Sequence, residues 1–214
     1  MAGIADPTAR LLGTLGLLHK FKAQFARAEP ALRRALTIGE ASLGADHPNV
    51  ATCLNNLATL LQDTNRLAEA EPLIRRALAI DEASLGADYP AVARDLNNLA
   101  LLLQATDRLA EADPLMRRAP AIDEASFGPD HPEVATDVMN LASLLYASDR
   151  LAEAKPLIGR ALVIYLTFER QTGHTHPNRD TALAWYRNIL TAAGHDEAAI
   201  FAAIASARGE AGLG

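Results

Sequence analysis

The chain is poor in the residues that usually announce chemistry. It has one cysteine, Cys53, in 214 residues. That excludes an internal disulfide and a cysteine-rich zinc site, and it fits a reducing cytoplasm, the expected location. Aromatics are scarce, with five Phe, four Tyr and one Trp, too few for the stacking platforms that hold single-stranded nucleic acid. Basic residues number 20 against 26 acidic, a net charge of −6, which disfavours nucleic acid and anionic membranes as partners. No apolar run approaches the roughly 20 residues that span a bilayer. The stretch Leu11–Leu18 is short, broken by Gly13, Thr14 and Gly16, and has no basic segment before it, so neither a span nor a signal peptide is expected. The phosphate-loop, zinc-protease, dithiol and serine-hydrolase motifs are absent. We therefore expect neither an enzyme nor a cofactor.

What is abundant is alanine and leucine, 44 and 33 residues, both strong helix formers. An all-α chain follows, with more small side chains than one large core would use. Their arrangement is periodic. His47-Pro48 recurs as Tyr89-Pro90, His131-Pro132 and His176-Pro177. Residues 47–88 and 89–130 are identical at 30 of 42 positions. Such a period marks stacked supersecondary units, here with boundaries near 8–46, 47–88, 89–130, 131–175 and 176–208. Residues 1–7 precede the single array, and 209–214 read as a flexible tail.

Each unit reads as two helices. Pro48 suits a helix start, where its missing N–H is unneeded. Val50, Leu54, Leu57, Leu60 and Leu61 then trace one apolar face. A second apolar stripe runs from Leu67 to Ile80, and Gly86, repeated as Gly44 and Gly128, is placed to end it with positive φ. Pro72 falls near the start of its helix. Ala58, Ala100 and Ala142 are set to meet Ala70, Ala112 and Ala154 at close helix contacts. Pro120, where Leu36, Leu78 and Leu162 stand in register, breaks the pattern and should kink its helix. Asp196 is placed to cap a final helix near 197–208, with Ile200, Phe201 and Ile204 covering the last seam.

The residues Leu54-Asn55-Asn56-Leu57-Ala58, Leu61, Leu67, Glu69-Ala70-Glu71-Pro72-Leu73, Arg75-Arg76-Ala77-Leu78 and Leu85-Gly86 resemble the tetratricopeptide repeat. The likeness is to the 42-residue form of kinesin light chains and many bacterial proteins, and it covers about residues 8–193. It implies a right-handed superhelical solenoid of about four helix pairs plus a C-terminal cap. It also implies a protein–protein interaction scaffold or adaptor whose concave groove, lined by first helices, takes an extended peptide. Carried over by residue, the groove candidates are Asn55, Asn56, Thr59, Gln62, Arg94, Asn97, Asn98, Leu101, Gln104, Met139, Asn140, Ser143 and Tyr146. Thr52, Asp63, Thr136, Arg10, Leu17, Lys20, Phe21, Trp185 and Asn188 flank them. Asn56, Asn98 and Asn140 form the expected amide ladder, since an amide both donates and accepts.

The remaining polar groups receive plainer readings. Arg10, Lys20 and Arg94 against Asp63 make the groove neutral to weakly basic, so the expected ligand is neutral or mildly acidic, with an apolar anchor near Leu101, Met139 and Tyr146. The recurring histidines read as residues that start helices, and His174 with His176 as too few for a metal. Glu29–Arg33, Glu71–Arg75 and Asp113–Arg117 have the spacing of exposed i, i+4 pairs. Asp81-Glu82 and Asp123-Glu124 read as a solvated face. Self-assembly of the solenoid is the alternative to a peptide ligand.

Overall fold

The computed structural model describes residues 7–213, and among these every regular element is helical. The expected N-terminal segment lies outside the described residues except for Pro7, which opens the first helix. The chain divides into two compact units, Met1–Asp107 and Arg108–Gly214, and the division falls inside the 89–130 repeat.

The N-terminal unit holds α1 (Pro7–Phe21), α2 (Phe25–Leu43), α3 (Pro48–Asp63), α4 (Leu67–Leu85) and α5 (Pro90–Ala105). Helix α1 packs on α2 and α3 on α4, and these pairs are joined by α2 on α3 and α4 on α5. Small residues set the spacing. Ala58 and Ala70 are fully buried, and Gly16 takes the place of Ala58 in α1, where a Cβ would stand 2.6 Å from Leu32. Val50, Ala51, Leu54, Ala77 and Ile80 form one core cluster, flanked by Leu36 and Leu73.

The C-terminal unit holds α6 (Leu109–Phe127), α7 (Pro132–Ala147), α8 (Leu151–Thr172), α9 (Arg179–Ala192) and α10 (Glu197–Glu210). Here α6 packs on α7, α7 on α8, α8 on α9, and α10 on both α8 and α9. Asp196 caps α10 by accepting the Ala199 N–H at 2.8 Å. Ile200 is buried, but Phe201 is 72% exposed, which corrects its expected place in the seam. The residues read as a tail continue α10 to Glu210, and Ala211 is buried.

Local chemistry explains the helix ends. His47 and His131 are N-caps whose Nδ1 accepts the N–H two residues on, at 3.1 and 3.2 Å. His176 makes the same bond to the Asn178 N–H at 3.2 Å. Gly44, Gly86 and Gly128 all take φ above 90°, a conformation that glycine adopts without penalty. Within each pair, the turn needs a left-handed residue at Ala23, Asn65, Asp107 or Asp149, and Asn and Asp tolerate it best. Pro72 is not at the helix start as expected. It is the sixth residue of α4, and Pro30, Pro114 and Pro156 occupy the same position in α2, α6 and α8. Helix α6 runs on through Pro120, which is buried.

Candidate functional site

The informative positions lie where a second helix meets the first helix of the next repeat. Between α4 and α5 this joint is filled by a charged network. Asn55 of α3 donates Nδ2–H to Asp95 Oδ1 at 2.7 Å. Arg94 donates from Nη2 to the same oxygen at 3.0 Å and to Asp81 Oδ2 at 3.3 Å. Asp81 and Asp95 are 1% and 0% exposed. The two carboxyls lie within hydrogen-bond reach of each other, and Asp81 Oδ1 and Asp95 Oδ2 meet no donor. One shared proton would bridge them, as in other close carboxyl pairs. Burial pushes Asp95 up to about 6 against the opposing pull of Arg94. Burial likewise raises Asp81, again against Arg94.

The sequence reading of Asp81 as solvated is thus corrected. It continues the buried stripe Ala70, Ile74, Ala77 at helical spacing. Asp123 and Asp137 repeat the pattern in the C-terminal unit, 5% and 2% exposed. There Thr136 replaces the arginine and bonds to Tyr165 Oη at 2.9 Å. Burial also raises Asp123 above the usual carboxylate range.

Forty-two residues earlier, the joint between α2 and α3 has Gly13, Gly39, Thr52 and Cys53 in place of Asn55, Asp81, Arg94 and Asp95. The result is a pocket of about 290 Å³ bounded by α1, α2 and α3, with all four of these residues in its lining. The Cys53 thiol is raised by burial and then by Glu40, so it is not an activated nucleophile.

The groove candidates separate into two sets. Asn55 and Asn97 are 4% and 7% exposed; they are packing residues beneath the surface, and their placement as peptide contacts is corrected. Asn56, Thr59, Gln62, Asn98 and Gln104 are half-buried, Arg94 is exposed, and Leu101 is 40% exposed, all on α3 and α5. Asn98 Nδ2 reaches Asn55 Oδ1 at 3.4 Å, and Thr59 Oγ1 donates to the Asn56 carbonyl at 3.1 Å. Met139, Asn140, Ser143 and Tyr146 lie along α7, where Tyr146 meets Trp185 edge to face at 5.5 Å. Most of the groove's positive charge is neutralised. Lys20 pairs with Asp63 at 3.1 Å and Arg94 with the two buried aspartates, which leaves Arg10 with no acidic partner among the described residues.

The second helices carry the ion pairs that the spacing suggested, Glu29–Arg33 and Glu71–Arg75 at 2.8 Å, and Asp113–Arg117. They add links the sequence did not disclose, from Arg66 to Glu29 at 2.7 Å and from Arg150 to Asp113. Arg66 is a turn residue whose guanidinium also holds Glu69. These arginines depress Glu29, Glu69 and Glu153, though exposed pairs contribute little to stability.

Antiparallel helix pairs, stacked through alanine and closed by a capped final helix, define a helical-repeat protein. The chain belongs to the tetratricopeptide repeat family, which it matches over residues 7–83, 54–125 and 92–167. Solved structures agree on the fold. A candidate kinesin light chain with nearly identical TPR-like repeats, from Podosopora anserina, is 21% identical over 97% of both chains, with a TM-score of 0.75. BtubC (BKLC) from P. vanneervenii is 24% identical over 93% of this chain and 78% of its own, with a TM-score of 0.76. A Rap protein complexed with Competence and Sporulation Factor is 13% identical over 98% of this chain and 56% of its own, with a TM-score of 0.74. At such identities the likeness speaks for fold alone. No curated protein matches the chain. No helix among the described residues is long and apolar enough to cross a membrane.

Proposed function

We propose that the chain is a non-enzymatic scaffold that binds an extended peptide segment of a partner protein along the first-helix face of its N-terminal unit. The contrast between two faces of that unit supports this reading. The second-helix side is closed by the ion pairs of Arg33, Arg66 and Arg75. The first-helix side leaves Asn56, Gln62, Asn98 and Leu101 at the surface, amides that can pair with a peptide backbone beside an apolar anchor. With Lys20 and Arg94 committed to aspartates, the face suits a neutral or mildly acidic peptide. In the C-terminal unit, Asn140, Ser143 and Tyr146 offer a comparable face of their own.

The test is fluorescence titration of a peptide library against wild type and an Asn56→Ala/Asn98→Ala variant. Loss of about tenfold in affinity, near 1.4 kcal/mol, with an unchanged melting temperature is the expected result. Equal affinity would contradict the amide reading.

Self-association is the second reading, and one observation favours it. Leu15 and Leu18 of α1 are 40% and 47% exposed, whereas Leu57 and Leu60, in register with them, are buried. Concentration-dependent light scattering that disappears in Leu15→Glu/Leu18→Glu would support it, and a monomer at all concentrations would remove it.

A further inference from the structure

The pocket at the α2–α3 joint is the feature that peptide binding does not explain. Its origin is local. Gly13 and Gly39 bring no side chain to the positions that Asn55 and Asp81 fill in the next repeat, and Cys53 is shorter and uncharged where Asp95 stands. A Cβ on Gly13 would meet nothing within 4 Å, and one on Gly39 would find only ordinary contacts, Val50 at 3.7 Å and Cys53 at 4.0 Å. The glycines are therefore not demanded by crowding. Their effect is to leave space.

That space has a definite size and polarity. At about 290 Å³ it lies at the lower edge of small-molecule sites, which run from about 300 Å³ upward. It is about twice the ~150 Å³ cavity known to hold benzene, so its capacity is on the order of ten carbon atoms. Leu17, Leu43 and Cys53 supply apolar wall. The polar groups of its lining include Arg10, Asn49 and Asn56. Arg10 is exposed and has no acidic partner among the described residues, while the other two cations of this face, Lys20 and Arg94, are neutralised. A guanidinium matches a carboxylate in a two-pronged hydrogen bond.

From these observations we infer that the pocket binds a small aliphatic carboxylate, its tail between Gly13, Gly39 and Cys53 and its headgroup on Arg10. The site shares Asn56 with the proposed peptide face, but it lies among α1, α2 and α3 and needs none of Asn98, Leu101 or Gln104, so octanoate binding and peptide binding can fail separately.

Octanoate is the probe, added to the full-length chain. Binding is read from the backbone amide resonances of Gly13 and Gly39 and from the rate at which iodoacetamide alkylates Cys53. Octanoate shifts those resonances and slows the alkylation, and octylamine, of equal length and opposite charge, does neither. Arg10→Gln, a surface change that leaves the fold intact, weakens octanoate about tenfold, the loss of one charge-assisted hydrogen-bonded contact. Gly39→Leu fills the space and abolishes binding. Unchanged resonances and alkylation at millimolar octanoate would overturn the assignment. Equal binding of octylamine, or undiminished affinity in Arg10→Gln, would also overturn it.

Discussion

The α2–α3 and α4–α5 joints of the N-terminal unit occupy one register and are built in opposite ways. Gly13, Gly39, Thr52 and Cys53 leave a pocket at the first; Asn55, Asp81, Arg94 and Asp95 fill the second with charge. Both joints pack helix on helix through buried alanine and leucine. The repeat scaffold is therefore held by the apolar stripe on either side of these positions, Val50 and Leu54 at one joint and Val92 and Leu96 at the other, all fully buried. That leaves the joint positions free to carry a void or an ionised cluster. Buried ion clusters return little net stability, because desolvation offsets the attraction, so neither arrangement is required for folding.

The largest effect is expected at Arg94. Arg94→Thr installs the residue found in register at Thr52 and Thr136, and it leaves Asp81 and Asp95 buried without their cation. A loss of about 3 kcal/mol at pH 7.5 is expected, the lower end for breaking a buried pair because Arg94 is itself partly exposed. Urea denaturation measures it, and a loss below about 1 kcal/mol would mean that the joint is solvated.

The next effect is a pH dependence. The folded-state value for Asp95 is about 6, above the 3.9 of a free aspartate. The folded chain therefore holds this proton more tightly than the unfolded one. Its contribution is full below the unfolded value and is lost as pH rises through about 6. Glu29 and Glu69 are depressed and act in the opposite sense at low pH, so the difference between variants is the clean quantity. Asp95→Asn keeps an oxygen for Asn55 and removes the titration. Its stability relative to wild type should rise between pH 4 and 7.5, by about 1–2 kcal/mol, and a flat difference would remove the assignment.

The smallest effect lies at the open joint. Gly39→Ala meets only ordinary contacts and replaces a helical glycine, so it should stabilise by about 0.5–1 kcal/mol while leaving most of the pocket. A loss of stability there would show the space to be narrower than the contacts indicate.

Much of this was legible in the sequence. The 42-residue period, the histidine helix starts, the burial of the alanines and the glycine stops follow from spacing and backbone preference, and each has its counterpart in the structure. The joints were not legible, because Asp81 was read together with its neighbour Glu82 as one exposed pair. Its place on the stripe Ala70, Ile74, Ala77 was the available signal, as was Asp95 between Val92, Leu96 and Leu99. Asn55 and Asn97 were misassigned for the reverse reason, since a polar side chain on a first helix can bond inward as readily as outward. The pocket depends on three helices meeting, and Gly13 and Gly39 alone do not predict it.

Xenon is the most direct probe of the difference between the two joints, because it enters dry apolar space and avoids ionised sites. Crystals of the full chain under xenon pressure should show one site among Gly13, Gly39 and Cys53 and none between Asp81 and Asp95. An empty first joint, or equal occupancy of both, would contradict the account.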